Sequence, residues 1–165
     1  MVKSLTLAVA LVVAAAGAGL AAETQPPGNG AAAPAVPREP RERVDHHLRE
    51  IQRLLHHFEG VLNQECPRFP RRQEWSAYLD LELDQLVLLL AHREEAWAEA
   101  KQTGDDDVRR HAKLPREQRD HARTLAEKFQ ACAEENGASL SQMSIRRRIE
   151  REVPRRRAEI ALPPP

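Results

Sequence analysis

Apolar side chains recur every three or four residues after residue 40, as they do along one face of a helix. The clearest run has spacings of 4, 3, 4, 3 and 4 and consists of Val44, Leu48, Ile51, Leu55, Phe58 and Leu62. This is the heptad seam of a helix that packs as in a coiled coil. Leu54 and Val61 widen the stripe, which favours contact with two neighbouring helices. Pro67 and Pro70 end the helix because proline cannot continue its hydrogen-bond ladder.

The same periodicity predicts a second long helix from about Arg71 to Gln102. Its apolar positions, close to heptad spacing, are Trp75, Leu79, Leu83, Leu86, Leu90 and Trp97. Thr103 and Gly104 supply the stop, since glycine readily takes the left-handed conformation that ends many helices. Two long amphipathic helices with a short connection favour an antiparallel pair.

A third helix is predicted to end near Asn136, with Gly137 as its C-terminal signal. Its apolar face consists of Ala122, Leu125, Phe129 and Cys132. Two starts are open: the acidic run 105–107 suits a helix N-terminus by charge, and Pro115 suits the first turn of a later start. Residues 139–153 predict a short, Arg-rich fourth helix with weak apolar anchors at Leu140, Met143, Ile149 and Val153.

The chain is therefore predicted to be all-α, with an up-down bundle of three to four helices over residues 41–153. Aromatic residues make up only 4% of the chain, so the core is expected to be mainly Leu and Ala. Residues 23–40 are rich in Pro, Gly and Ala without an apolar period, which predicts a disordered tether. Residues 154–165 begin with a proline and an Arg triplet and end in three prolines, which predicts a flexible tail.

Residues 1–22 have the three parts of a cleavable signal peptide. A start that is basic through Lys3 precedes the unbroken apolar run 5–16, and small residues over 17–22 suit signal peptidase. The alternative is an uncleaved membrane anchor, for which the run is short and weakly hydrophobic. We expect export to the periplasm or secretion, and no segment of membrane-spanning length in the exported part.

The charge balance bears on the class of partner. Removal of residues 1–22 takes away Lys3 and no acid, which leaves a net charge of about −1. This argues against nucleic acid, whose binding needs an excess of positive charge. Arginine makes up 21 of the 25 basic residues, which is typical of a high-GC coding bias and favours a bacterium.

The chain has two cysteines, Cys66 and Cys132. An even number in an oxidising compartment favours a disulfide. In an up-down-up arrangement the C-terminal ends of the first and third helices lie at the same end of the bundle, where both cysteines fall. Two unrelated thiols are the alternative, and the lack of a C-x-x-C motif argues against a redox-active pair.

Seven histidines suggest a metal site, since imidazole binds Zn, Cu or Ni and ligands from several helices can meet inside a bundle. If the disulfide sets the register, His46, His47, His92 and His111 fall at one level, roughly 20 residues from that end. These four are the predicted ligands. The alternative is solvated surface histidines: no two are spaced i, i+4, and His56 and His92 are expected to point away from the core.

Seven arginines are concentrated near the C-terminal end, against two acids, Glu150 and Glu152. They are Arg146, Arg147, Arg148, Arg151, Arg155, Arg156 and Arg157. Such a segment can dock on an anionic membrane surface or an acidic partner. The alternative is a solvated, partly disordered tail.

Motifs of catalysis are missing from the sequence: it has no Gly-rich phosphate loop, G-x-S-x-G, H-E-x-x-H or C-x-x-C-H. Pairs such as His46 and Glu50 are ordinary neighbours on a helix surface. A disulfide-bonded Cys66 cannot be a nucleophile. We therefore expect no enzymatic activity.

Residues 114–118, L-P-R-E-Q, resemble the L-T-x-x-Q motif near helix starts of small periplasmic metal-resistance and envelope-stress proteins. The segment keeps the Leu and the Gln and has Pro in place of Thr; residues 81–85 are a poorer match in the middle of a helix. The resemblance covers five residues and the general architecture. It implies a dimeric, all-helical binding protein that holds metal ions or unfolded clients.

Two functions remain from the sequence. The first is an exported interaction protein that recognises another envelope protein, with no chemistry of its own and with a homodimer as one possible state. The second is a periplasmic metal-binding or metal-sensing bundle that uses histidines from several helices.

Overall fold

A computed structural model describes residues 37–113 and 116–164, without the side chains of residues 116–119. This part contains five helices: α1 Pro40–Asn63, α2 Arg72–Gln102, α3 Asp106–His111, α4 Arg116–Glu135 and α5 Gln142–Ile160. None of the described residues lies in a strand, so the predicted all-α fold is confirmed. The predicted signal peptide, residues 1–22, and residues 23–36 of the predicted tether lie outside the described residues.

The helix stops follow the predicted glycines. Gly104 and Gly137 have φ of 69° and 65°, the left-handed region that glycine enters without a steric penalty. They lie just after α2 and α4. Two helices stand where one third helix was predicted: Asp105 caps the short α3 by accepting from the backbone N–H of Asp107 at 2.7 Å, and α4 begins at Arg116. Pro115, the alternative start, lies outside the described residues.

The four long helices form an up-down-up-down bundle. α1 packs most extensively against α2, and α2 against α5, while α4 contacts both α1 and α5 and closes the ring. α1 and α2 are antiparallel, since His57 contacts Glu82 in the first half of α2 and His47 contacts His92 in the second half. The short α3 lies against α1 and α2.

α5 runs in the same direction as α2. Arg148 pairs with Asp80 at 2.5 Å, and Arg157, nine residues later, pairs with Glu95 at 2.7 Å. The prediction that the last helix ends at residue 153 and a flexible tail follows is wrong for residues 154–160, which continue α5 through Pro154. The buried Val153 and the ion pair of Arg157 hold these turns against α2.

The core follows the predicted seam of α1, in which Val44, Ile51 and Phe58 are fully buried. The main cluster of buried apolar side chains is Ile51, Leu54, Leu55, Phe58, Leu83, Leu86, Leu89, Ala96, Leu125, Phe129 and Ile145. A smaller cluster at one end holds α3 against α1 and α2: Val44, Ala100, Val108 and Ala112. Burial of each large side chain stabilises the fold by about 1.5–3 kcal/mol.

The predicted disulfide is confirmed. Cys66 follows α1, Cys132 lies in the last turns of α4, and their Cα atoms are 5.2 Å apart. Trp75 packs against Cys132 in a cluster of buried side chains at this end. Asn136 adds a polar clamp, since its amide donates to the carbonyl oxygens of Pro67 at 3.0 Å and Cys132 at 2.9 Å.

Two predicted apolar anchors are exposed instead. Trp97 is 40% exposed, and Lys101 lies over its ring at 5.3 Å from the centroid. Met143 is 55% exposed, and the buried anchor of this part of α5 is Ile145. Helical spacing thus identified the apolar positions of α2 and α5, but it could not show which of them the neighbouring helices cover.

Candidate metal centre

The candidate centre lies between α1 and α2, at the end of the bundle opposite the disulfide. α1 contributes His47, and α2 contributes His92, Glu95 and Glu99, which share a face because they are three, four and seven residues apart. His47 is fully buried, and the other three are 5%, 9% and 7% exposed. The site is thus a polar cluster inside an otherwise apolar interface.

The two buried histidines contact each other directly. Nδ1 of His47 and Nδ1 of His92 are 2.9 Å apart, so one nitrogen must donate and the other must accept. Burial, followed by the neighbouring His92 and His46, lowers the pKa of His47 to about 4. Burial is also the main cause that lowers the pKa of His92 to about 4. Both imidazoles are therefore neutral at pH 7.

The other ring nitrogen of His47, Nε2, is buried and has no hydrogen-bond partner among the described residues. One ring nitrogen of His47 and one carboxylate oxygen each of Glu95 and Glu99 lie within 4.8 Å of one another. Because Nδ1 is engaged by His92, Nε2 is the nitrogen that remains to bind a further atom. The geometry is that of a one-nitrogen, two-oxygen ligand set.

Arg43 neutralises Glu99 on one side of the cluster. Its Nε donates to Oε2 of Glu99 at 2.8 Å and its Nη2 to Oε1 at 2.6 Å, a bidentate pair that raises the pKa of Arg43. The same guanidinium donates to the carbonyl oxygens of Pro163 at 2.7 Å, Leu162 at 3.2 Å and Pro37 at 3.4 Å. Arg43 thus joins both ends of the described chain to α2.

Arg157 neutralises Glu95 on the other side. Its Nε donates to Oε1 of Glu95 at 2.7 Å, and its Nη1 donates to Oε2 of Glu94 at 3.0 Å. These contacts, that with Glu95 first, raise the pKa of Arg157. Oε2 of Glu95 accepts no hydrogen bond from a residue that the structure describes, so this oxygen is open to a ligand.

No family model, curated protein or solved structure matches this chain. The site must therefore be interpreted from its own chemistry.

The structure brings together three of the four histidines predicted as ligands. The ring of His46 lies 5.2 Å from that of His47 and 6.4 Å from that of His92, measured between centroids. His111 pairs with Asp45, Nε2 to Oδ1 at 2.5 Å, next to His46 in the sequence. The expectation that His92 points away from the core is wrong, because this side chain is 5% exposed and packs against His46 and His47 of α1.

Glu95 and Glu99 were not predicted from the sequence to be ligands. The pattern that could have identified them is the spacing H-x-x-E-x-x-x-E over residues 92–99, which places one imidazole and two carboxylates along one helix face. Acidic residues at i, i+4 are common on solvated helices, so this pattern becomes informative only once the face is known to be buried.

Six of the seven predicted arginines form ion pairs with residues that the structure describes. Arg146, Arg148, Arg151, Arg155, Arg156 and Arg157 all form ion pairs. Arg148 alone contacts Asp80, Asp84 and Glu152, which holds α5 to α2. Arg147 is exposed. Arg148 and Arg157 thus hold α5 to α2, and the other ion pairs of this segment lie within α5.

Two further features bear on location. A structural disulfide is typical of an oxidising compartment outside the cytoplasm. Among the described helices, none is both long and apolar enough to cross a bilayer.

Proposed function

We propose that this chain is a metal-binding protein of the cell envelope that holds one divalent transition-metal ion between α1 and α2. The ligands are Nε2 of His47 and one carboxylate oxygen each of Glu95 and Glu99. Two observations carry the proposal: Nε2 of His47 is buried without a described partner, and a ring nitrogen of His47 lies within 4.8 Å of an oxygen of each carboxylate. A buried polar atom without a partner costs free energy unless something binds it.

The ligand chemistry favours Zn²⁺. One imidazole and two carboxylates form a borderline donor set that Zn²⁺ accepts, whereas soft Cu⁺ prefers sulfur. A metal-binding histidine usually has its second ring nitrogen fixed by a hydrogen bond, and His92 does this for His47. The lowered pKa of His47 keeps its imidazole neutral, so no proton competes with the metal at pH 7.

Separate observations support the cellular location and the metal-holding role. The predicted signal peptide and the disulfide support a periplasmic or secreted protein. The resemblance of residues 114–118 to periplasmic metal-resistance proteins supports a metal-holding role. Binding needs no catalytic group, and we propose no enzymatic activity.

Metal titration tests the proposal. The exported protein, stripped with a chelator, is melted with and without Zn²⁺, Ni²⁺ and Cu²⁺ and analysed for bound metal. An ion at 100 times its dissociation constant stabilises the fold by about 2.7 kcal/mol, which raises the melting temperature by roughly 10 °C in a domain of this size. We expect one Zn²⁺ per chain and the largest rise with Zn²⁺.

His47→Gln and Glu95→Gln are expected to lose this response, while the matched control His56→Gln keeps it. His56 is on the same helix with a side chain that is 89% exposed. The metal-free melting temperature of each variant separates loss of binding from loss of folding. A full Zn²⁺ response in His47→Gln, or no bound ion in the unmodified protein, would contradict the proposal.

The interaction role predicted from the sequence remains a second proposal, favoured by one surface feature. A groove of about 340 Å³ between α4 and α5 has the exposed Met143 on its wall. Its other lining residues are Ala122, Arg123, Ala126, Gln142, Ile145, Arg146 and Ile149. Methionine adapts to varied apolar partners, so we assign the groove to another envelope protein.

Site-specific photo-crosslinking in living cells tests this second role. A crosslinker in place of Met143 is expected to give one discrete adduct, and the same group in place of the exposed Gln73 is expected to give none. An adduct of twice the mass of the chain would identify a homodimer instead. Equal labelling from both positions would contradict the assignment.

A further inference from the structure

Arg157 occupies the metal centre in an unusual way. Its guanidinium bridges one buried carboxylate, Glu95, whose side chain is 11% exposed, and one exposed carboxylate, Glu94, which is 51% exposed. The Arg157 side chain itself is 36% exposed. Arg157 therefore joins a buried carboxylate of the cluster to a carboxylate exposed to solvent.

The charges of the cluster balance without a metal. Glu95 and Glu99 carry two negative charges, and their ion-pair partners Arg157 and Arg43 carry two positive charges. A divalent ion bound to the same carboxylates would leave an excess of two positive charges in a largely buried place. Charges are costly there unless they are paired, so metal binding favours the departure of one arginine.

The two arginines differ in how easily they can leave. The Arg43 side chain is 6% exposed, holds both oxygens of Glu99 and also donates to three backbone carbonyl oxygens. Arg157 is more exposed, reaches Glu95 through one nitrogen, and keeps Glu94 when that contact breaks. Movement of Arg157 towards Glu94 therefore costs less free energy than release of Arg43 from Glu99.

We propose that Arg157 is a placeholder cation for the metal centre: it pairs with Glu95 in the metal-free protein and yields Glu95 to the incoming divalent ion while it keeps Glu94. This inference rests on the proposed metal-binding function. Arg157 lies in the last turn of α5, so metal binding also weakens the attachment of that turn to α2. Whether the centre holds a metal ion would then determine how firmly the last turn of α5 is attached.

Zn²⁺ affinity of the full exported protein, measured by chelator competition, tests the inference. Arg157→Gln removes the competing cation and is expected to bind Zn²⁺ at least ten times more tightly. The matched control, Arg155→Gln, changes an arginine that is 72% exposed and pairs only with Glu159, so its affinity is expected to stay unchanged. Glu94→Gln removes the alternative partner of Arg157, and its Zn²⁺ affinity is expected to fall several-fold.

Hydrogen exchange of residues 153–160 gives an independent readout. Zn²⁺ is expected to speed exchange there in the unmodified protein and to have no such effect in Arg157→Gln, where the ion pair is already gone. Zn²⁺ that binds Arg157→Gln with equal or lower affinity would overturn the placeholder role alone. No Zn²⁺ binding by any of these proteins would overturn the metal function and the placeholder role together.

Discussion

At the scale of single residues, the notable feature is a pair of neutral histidines in the middle of charged neighbours. His47 and His92 share one hydrogen bond through their Nδ1 atoms at 2.9 Å. The bond needs one of the two nitrogens to lack a proton. Protonation of both rings would therefore break it and leave two like charges in a buried place.

This arrangement predicts a loss of stability in mild acid. The pKa of each histidine falls from 6.5 to about 4 on folding. Between about pH 6.5 and 4 the unfolded chain binds more protons than the folded one, so the free energy of unfolding decreases as the pH falls. The full loss is at most about 3 kcal/mol for each histidine.

Urea denaturation of the metal-free protein across this pH range measures the loss. His92→Gln is expected to be less sensitive to acid than the unmodified protein, whereas His56→Gln, on the exposed side of α1, is expected to behave as the unmodified protein does. The same acid sensitivity in His92→Gln as in the unmodified protein would contradict this assignment. Carboxylates titrate in His92→Gln and in the unmodified protein alike, so the contribution of His92 is the difference in acid sensitivity between these two proteins.

The sequence was sufficient for part of this residue-scale picture. His47 was predicted to be a ligand because the register set by the disulfide places it at one level with three other histidines, and it lies in the candidate centre. Glu95 and Glu99 could not be recognised, because a glutamate on a helix has the same pattern whether solvent or another helix covers it. Glu95 pairs with Arg157 and Glu99 with Arg43, and both partners are more than 50 residues away in the sequence.

At the scale of helices, the sequence pattern predicted the ends of α2 closely, whereas it placed the end of α5 too early. α2 begins one residue from its predicted start and ends at the predicted residue. α5 runs past Pro154, which the local rule treats as a helix end because proline lacks the N–H that the carbonyl of Glu150 would accept. Contacts of Arg148, Val153 and Arg157 with the bundle outweigh that local cost.

The free-energy cost of Pro154 inside α5 can be measured. Pro154→Ala restores the backbone donor at an exposed position and is expected to raise the free energy of unfolding by as much as about 3 kcal/mol. Chemical denaturation followed by circular dichroism gives the value. Arg155→Ala at the next exposed position is the control and is expected to change stability by less than about 0.5 kcal/mol. An unchanged or lower free energy in Pro154→Ala would contradict this account of α5.

At the scale of the whole molecule, the two ends of the bundle are held by different kinds of contact. One end is held by the Cys66–Cys132 disulfide and its aromatic neighbours. The other end is held by buried ion pairs around His47, with an apolar core between them. The sequence predicted the disulfide end through its two cysteines. The ionic end could not be predicted because its partners come from α1, α2 and the last residues of the chain.

The Arg43 contacts have a mechanical consequence. This side chain binds the carbonyl oxygens of both Pro37 and Pro163, so a force that pulls the two chain ends apart acts on Arg43 first. The disulfide then shields residues 67–131 from extension, and only the stretches outside it can lengthen. His47 lies in a stretch that lengthens, and Glu95 and Glu99 lie in the shielded loop. Tension would thus pull α1, with His47, away from the loop that holds Glu95 and Glu99.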